Sequence, residues 1–356
     1  MKKNKLVVFF SIIFSLLIVE IICSQIIFKK GNYNFKNAFM LFSEGKVFKN
    51  IDNFFTYEPN KKITASNYYF NGEEFVEVYK YNLTTNNLGL VQKKDIFKNI
   101  PSILILGDSF TEGQGAEAWI DNFDGNYKDY QIINGGLLAT GFKQFELLDT
   151  YLSNFNIQKV FILFIGDDLR RDIFNFNDQQ LKCLSDQNQC LGTEIFYGFD
   201  YLDGNQKIFL GDIRKKQLKK QKKNNITFKK VRRDIKRYIA DLYIVKIPLD
   251  LIRSKFYRSK NVKILENFDS INRLSNKYKD NLFFVHLKTK HEIMFKKKNY
   301  ESVYAENYIK KISTNYYECN FDENLENFYE LDGHPNSKGY QNLFNCISNL
   351  FKETIN

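Results

Sequence analysis

Histidine is scarce in this chain, with three residues among 356, and cysteine is little commoner, with five. No spacing of these residues resembles a zinc site, and nothing in the sequence implies a metal or an organic cofactor. Runs long enough to cross a bilayer are equally rare. Only residues 6–28 form one, an apolar stretch of 23 residues behind Lys2, Lys3 and Lys5, with Glu20 its single acid. It lacks the small-residue cleavage site of a secretory signal, and Cys23 after Glu20-Ile21-Ile22 is no lipobox. These absences argue against a cleaved leader, and the expectation is an uncleaved anchor in the cell (inner) membrane, with residues 1–5 cytoplasmic, 6–28 spanning and the remainder outside the cytoplasm.

Cys183, Cys190, Cys319 and Cys346 would then face an oxidising compartment. Proximity in sequence favours the pairs Cys183–Cys190 and Cys319–Cys346. Four cysteines allow three connectivities, and buried free thiols are the other outcome. Hydrophobic residues at 44%, with 16% aromatics, are enough for a packed core and exclude a wholly disordered chain.

Residues 29–98 read as a juxtamembrane region with a small β unit, in which Asn71-Gly72 between aromatic and β-branched runs signals a hairpin. Continuous apolar runs follow at 102–106, 130–134, 160–165 and 282–287, of the kind buried on both faces of a parallel sheet. Helix-period segments at 142–152, 264–278 and 339–351 separate or follow them. The alternation predicts an α/β core of residues 99–172 and 260–356 with its site at the carboxyl ends of the strands.

Residues 173–259 interrupt the alternation and read as a basic insertion. The stretch 214–263 has 19 basic residues against Asp234, Asp241 and Asp250, a net of +16 in a chain of +11, so everything else is acidic on balance. Val231, Ile235, Tyr238, Leu242 and Val245 recur at helical spacing within it. It is either a solvated lysine face or a contact for anionic lipid head groups or an anionic glycan. Nucleic acid is not an expected partner outside the cytoplasm.

Gly107-Asp108-Ser109 directly follows an apolar strand. A tight turn there lifts the serine hydroxyl to the sheet edge and aims the backbone amide at whatever the serine attacks. His334, one of the three histidines, lies in Asp332-Gly333-His334-Pro335-Asn336 at the start of the last helix.

Here the chain resembles the SGNH/GDSL hydrolases, in their membrane-anchored bacterial form. Residues 105–113, Ile-Leu-Gly-Asp-Ser-Phe-Thr-Glu-Gly, look like that family's first block, and Thr85-Asn86-Asn87-Leu88-Gly89-Leu90 like a segment that precedes it. Ile133-Asn134-Gly135-Gly136, with Gly141 and Gln144, looks like the second block. The third is matched by Phe164-Ile165-Gly166-Asp167-Asp168, and residues 330–340 look like the last.

The resemblance implies a flavodoxin-like three-layer α/β/α sandwich with a parallel sheet. It implies Ser109 as nucleophile, His334 as base and Asp332 as the acid that orients it. The oxyanion would be held by the amides of Ser109 and Ala139, with Asp167 in the third position. Two positions depart from the pattern: Ala139 stands where the family has glycine, and Asp167 where it has asparagine. An ionised Asp167 about 4 Å from an oxyanion would repel it by about 4 kcal/mol at an effective dielectric near 20, so the expectation is a neutral acid that donates. The implied activity is a serine esterase on acyl, including O-acetyl, esters of a cell-surface glycan or a small molecule. An O-acyltransferase with the same site and a non-catalytic glycan-binding scaffold are the alternatives.

Overall fold

The computed structural model describes residues 38–42, 47–51, 54–70, 74–123, 127, 129–171, 199–201, 262–319, 322 and 324–355, with isolated positions at 11–20, 179, 182 and 189. Every element below belongs to one compact unit, Asn34–Leu210 with Ser259–Asn356. The rest of the chain, Met1–Tyr33 with Gly211–Arg258, forms a second.

The first strands are β1 (Ala38–Phe42), β2 (Phe48–Ile51), β3 (Phe54–Tyr57), β4 (Lys62–Phe70) and β5 (Phe75–Thr84). Next come β6 (Ser102–Gly107), the single-turn helix α1 (Ser109–Glu112), β7 (Gln131–Gly136), α2 (Phe142–Tyr151), β8 (Ile157–Phe164) and β9 (Phe199–Tyr201). The chain continues with α3 (Val262–Tyr278), β10 (Leu282–Leu287), α4 (Lys290–Met294), α5 (Tyr300–Ile312), β11 (Tyr316–Cys319) and α6 (Ser337–Thr354).

Five strands form a wholly parallel sheet in the order β11-β10-β8-β6-β7. Counted among themselves in chain order they run 2-1-3-4-5, the doubly wound arrangement whose order reverses beside its first strand. The apolar runs explain the central positions: β6 and β10 are buried at every residue, which only helices on both faces can achieve. Ile105, Phe161 and Phe283 lie in register on one face, with Phe351 of α6 packed 4.6 Å from Phe161. On the other face Phe142 of α2 meets Phe164. Helix α6 buries Tyr340, Leu343, Ile347, Leu350 and Phe351, one stripe at helical spacing. At about 2 kcal/mol per side chain this docking is worth on the order of 10 kcal/mol.

The expected hairpin is present as β4 and β5, within a four-stranded sheet of order β5-β4-β1-β9. The pairs β1/β4 and β4/β5 are antiparallel and β1/β9 is parallel. Strands β2 and β3 pair separately. This N-terminal unit shares one compact body with the α/β core. Helix α5 and strand β11 were not legible. The strand is four residues long and carries the exposed Glu318 at the sheet's edge, so no apolar run marks it.

Cys319 and Cys346 form a disulfide with a Cα separation of 5.9 Å, joining the end of β11 to α6 across a 27-residue loop that contains His334. Loop-closure entropy for that length is about 3.5 kcal/mol. Cys346→Ser is therefore expected to lower unfolding stability in urea by about 2–4 kcal/mol, and a loss under 1 kcal/mol would contradict this account. Cys183 and Cys190 lie outside the described residues, as do residues 214–261 of the basic stretch. Most of the apolar run 6–28 is likewise outside them. Among the described residues no helix is long and apolar enough to cross a membrane.

Candidate active site

Strand β6 ends at the point where the sheet order reverses, and the chain turns there through Gly107 into α1. A β-carbon on Gly107 would lie 2.6 Å from the Leu163 carbonyl oxygen and closer still to Thr111, so only glycine lets the turn sit between the strands. Asp108 caps α1 by accepting from the Phe110 amide at 2.9 Å. Its carboxylate also meets Arg171 at 2.5 Å, and the same guanidinium reaches the buried Asp168 at 3.0 Å. Burial pushes the Asp168 carboxyl well up, the Asp108 charge adds to this, and Arg171 opposes it. The three residues tie the end of β6 to the end of β8.

This cap places Ser109 at the first position of the helix, where its amide has no intrahelical acceptor. The Ser109 hydroxyl lies 2.8 Å from Nε2 of His334, and His334 Nδ1 lies 2.8 Å from Oδ1 of Asp332. The histidine comes from the loop before α6, which is held at several points. The Tyr329 amide donates to the His334 carbonyl, and Lys290 donates to the carbonyls of Tyr329 and Glu330 at 2.7 Å each. Asn336 caps α6 through the amides of Lys338 and Gly339, two to five residues past the histidine. Phe110 packs against the imidazole.

Asp332 is almost fully buried. Burial raises its carboxyl, but the charge and hydrogen bond of His334, the Tyr79 phenol and the Gly333 amide outweigh this and leave it below the ordinary value of 3.8. Its second oxygen accepts from Asn67 Nδ2 and from the Tyr79 hydroxyl, both at 2.7 Å. These partners come from β4 and β5, and no local pattern in the sequence marks them.

The loop after β7 is sewn to the turn after β6. The Leu137 amide donates to the Gly107 carbonyl at 3.1 Å, and a β-carbon on Gly136 would lie 2.2 Å from the Glu112 amide nitrogen. The Leu138 amide donates to the Glu112 carboxyl at 2.7 Å. Ala139 follows with φ +57°, a left-handed conformation that favours glycine. An alanine there costs roughly 1 kcal/mol or more. Its amide has no intramolecular acceptor among the described residues and lies in the loop that abuts α1. Glu112 is buried and accepts from the Tyr57 hydroxyl at 3.0 Å, and burial pushes its carboxyl from 4.5 up to about 8. The segment 85–90 positions that tyrosine: Gly89, at φ +76°, accepts from the Tyr57 amide, and Asn86 holds the amides of Leu88 and Leu90. Asn134, in the second block, is structural and ties β7 to the Val91 carbonyl.

Asp167 lies just past β8. Its carboxylate pairs with Arg170 at 2.8 Å, its side chain is about a third exposed (35%), and Arg170 continues to Glu301 at 3.2 Å. His286 is fully buried in β10, 3.1 Å from the Ser302 hydroxyl, away from these contacts.

No protein-family model and no curated protein matches the chain. Among solved structures it is similar to a member of the lipolytic protein G-D-S-L family from Veillonella parvula DSM 2008. That likeness has 9% identity and a TM-score of 0.32, over 71% of this chain and 98% of that one. It is also similar to a gut microbial diltiazem-metabolizing enzyme, at 12% identity and a TM-score of 0.34, over 72% of this chain and 48% of that one. Similarity at this level does not extend to activity.

Proposed function

We propose that this chain is a serine hydrolase that cleaves acyl esters through an acyl-enzyme on Ser109. The observation that carries the reading is the unbroken line from the Ser109 hydroxyl through both nitrogens of His334 to Asp332, with 2.8 Å at each step. His334 Nε2 takes the hydroxyl proton as Ser109 Oγ attacks the carbonyl carbon, and Asp332 stabilises the imidazolium that forms. The amides of Ser109 and Ala139 hold the developing oxyanion. His334 then gives the proton to the departing alkoxide. A water repeats the cycle and frees the acid, or a sugar hydroxyl takes the acyl group instead. The Asp167–Arg170 pair offsets the repulsion that a lone carboxylate would exert on the oxyanion.

The substrate class we assign is the O-acetyl ester of a cell-surface glycan, on the strength of the resemblance to anchored SGNH/GDSL proteins. Residues 6–28 would hold the catalytic unit at the outer face of the membrane, and the basic stretch 214–263 would meet anionic head groups or glycan. A fluorophosphonate probe is expected to label the protein, and labelling should vanish in Ser109→Ala and in His334→Ala. Hydrolysis of p-nitrophenyl acetate should fall roughly 10⁴-fold or more in the same variants. A wild-type chain that neither labels nor turns over near neutral pH would overturn the reading in favour of a non-catalytic glycan-binding scaffold.

A further inference from the structure

The two donors on Asp332 come from neighbouring strands of the N-terminal sheet, 265 and 253 residues before it in the chain. Asn67 and Tyr79 stand directly opposite each other in the β4/β5 ladder. The register slips at the very next pair, where Tyr68 meets Glu77 and one residue of β5 goes unpaired. A bulge of this kind re-aims side chains, and bulges gather beside functional sites. Here the cross-strand partners converge on one oxygen: Asn67 Nδ2 and the Tyr79 hydroxyl each reach Oδ2 of Asp332 at 2.7 Å, leaving Oδ1 to His334.

The direction of each bond is determined. Gln114 Nε2, five residues past Ser109, donates to the Tyr79 oxygen at 2.6 Å, and Asn67 Nδ2 also donates to it at 2.9 Å. The phenol proton is thereby directed to the carboxylate, and burial with the Asp332 charge raises the Tyr79 phenol well above its ordinary value, so that it stays protonated. Asn67 cannot turn over, since its carbonyl oxygen would then face the carboxylate. That oxygen is buried without a partner, an arrangement that costs about 1–3 kcal/mol. A position held against stability, in a network that runs from the nucleophile's turn to the triad acid, marks function over folding.

We infer that Asn67 and Tyr79 are positioning residues for the Asp332–His334 pair: together they pin Oδ2, so that Oδ1 alone orients the imidazole toward Ser109. The inference rests on the serine-hydrolase reading and extends the active site into the N-terminal β unit. Removing one donor leaves the carboxylate more basic toward Nδ1 and freer to rotate.

The test is Tyr79→Phe, which keeps the ring and its packing on Tyr329, made in wild-type and Asp332→Asn backgrounds of the full chain. In the wild-type background kcat for p-nitrophenyl acetate should fall about tenfold with KM unchanged. In the Asp332→Asn background the same change should cause no further loss, because its effect passes through the carboxylate. Equal losses in both backgrounds, or no loss in either, would overturn the inference. A readout independent of turnover is the low-field Nδ1 proton resonance of His334 in the resting protein, which should move in Tyr79→Phe and in Asn67→Leu. A resonance that stays put in folded Tyr79→Phe protein also overturns it. An inactive wild type with a shifted resonance would defeat the esterase reading and leave this one standing.

Discussion

Asp332→Asn is expected to lower kcat by roughly four orders of magnitude with little change in folding, because it reverses the tautomer of His334. The neighbours make that reversal hard to escape. Asn67 and Tyr79 both donate to Oδ2 of Asp332, so an asparagine there turns its carbonyl oxygen toward them and its amide group toward His334. Nδ1 must then accept, Nε2 keeps the ring proton, and the nitrogen 2.8 Å from the Ser109 hydroxyl can no longer take a proton from it. The comparison to make is steady-state turnover of wild-type and variant proteins with matched thermal melts. A loss below tenfold would mean that the acid does not set the tautomer, and that the hydrogen-bonded line is not the catalytic one.

Glu112→Gln is expected to make the protein more stable than wild type at alkaline pH, by an amount that grows as pH rises to about 8 and then levels off. Burial raises the Glu112 carboxyl in the folded protein from 4.5 to about 8, with the Tyr57 phenol and the Leu138 amide only partly opposing it. With the folded value above the unfolded one, the favourable contribution is complete below about pH 4.5 and is lost as pH rises through about 8. Between those limits the native state holds one proton more than the unfolded state, so stability falls by up to 1.4 kcal/mol per unit. Summed over the window the loss is on the order of 5 kcal/mol, an upper figure. Glutamine keeps an oxygen for the Leu138 amide and has no charge to bury. Urea unfolding of both proteins from pH 5 to pH 9 should give curves that separate steadily up to about pH 8 and run parallel above it. A constant gap across the range would show that Glu112 is already ionised in the folded state.

The glutamate also shows how function and fold share one residue. It stands three positions after Ser109, holds the amide next to Ala139, and is itself held by a tyrosine of β3. An alanine at φ +57° would relax toward negative φ if the loop were free. The Leu138 amide on Glu112 and the Leu137 amide on Gly107 restrain the residues just before it.

What the sequence determined by itself is the part governed by local pattern and short spacing. Apolar runs at 102–106, 130–134, 160–165 and 282–287 could be satisfied only by strands covered on both faces, and the structure has strands at each. Gly107-Asp108-Ser109 at the end of one run, and Asp332-Gly333-His334 before a capped helix, each carry their conformation in their own residues: a glycine where no β-carbon fits, and Asp108 and Asn336 as caps. Their meeting across 225 residues was legible because two such signals occur in the order that the family resemblance expects. Tertiary structure alone decided what surrounds them. Asn67, Tyr79, Tyr57 and Arg171 look like ordinary strand and loop residues, since a hydrogen bond between groups 55 to 265 positions apart leaves no trace in the residues beside either partner. The same holds for Asp167. Its place after a strand could be read from the run before it, but its contact with the Arg170 guanidinium at 2.8 Å depends on the turn of a short helix, and that contact exists only once the chain has folded.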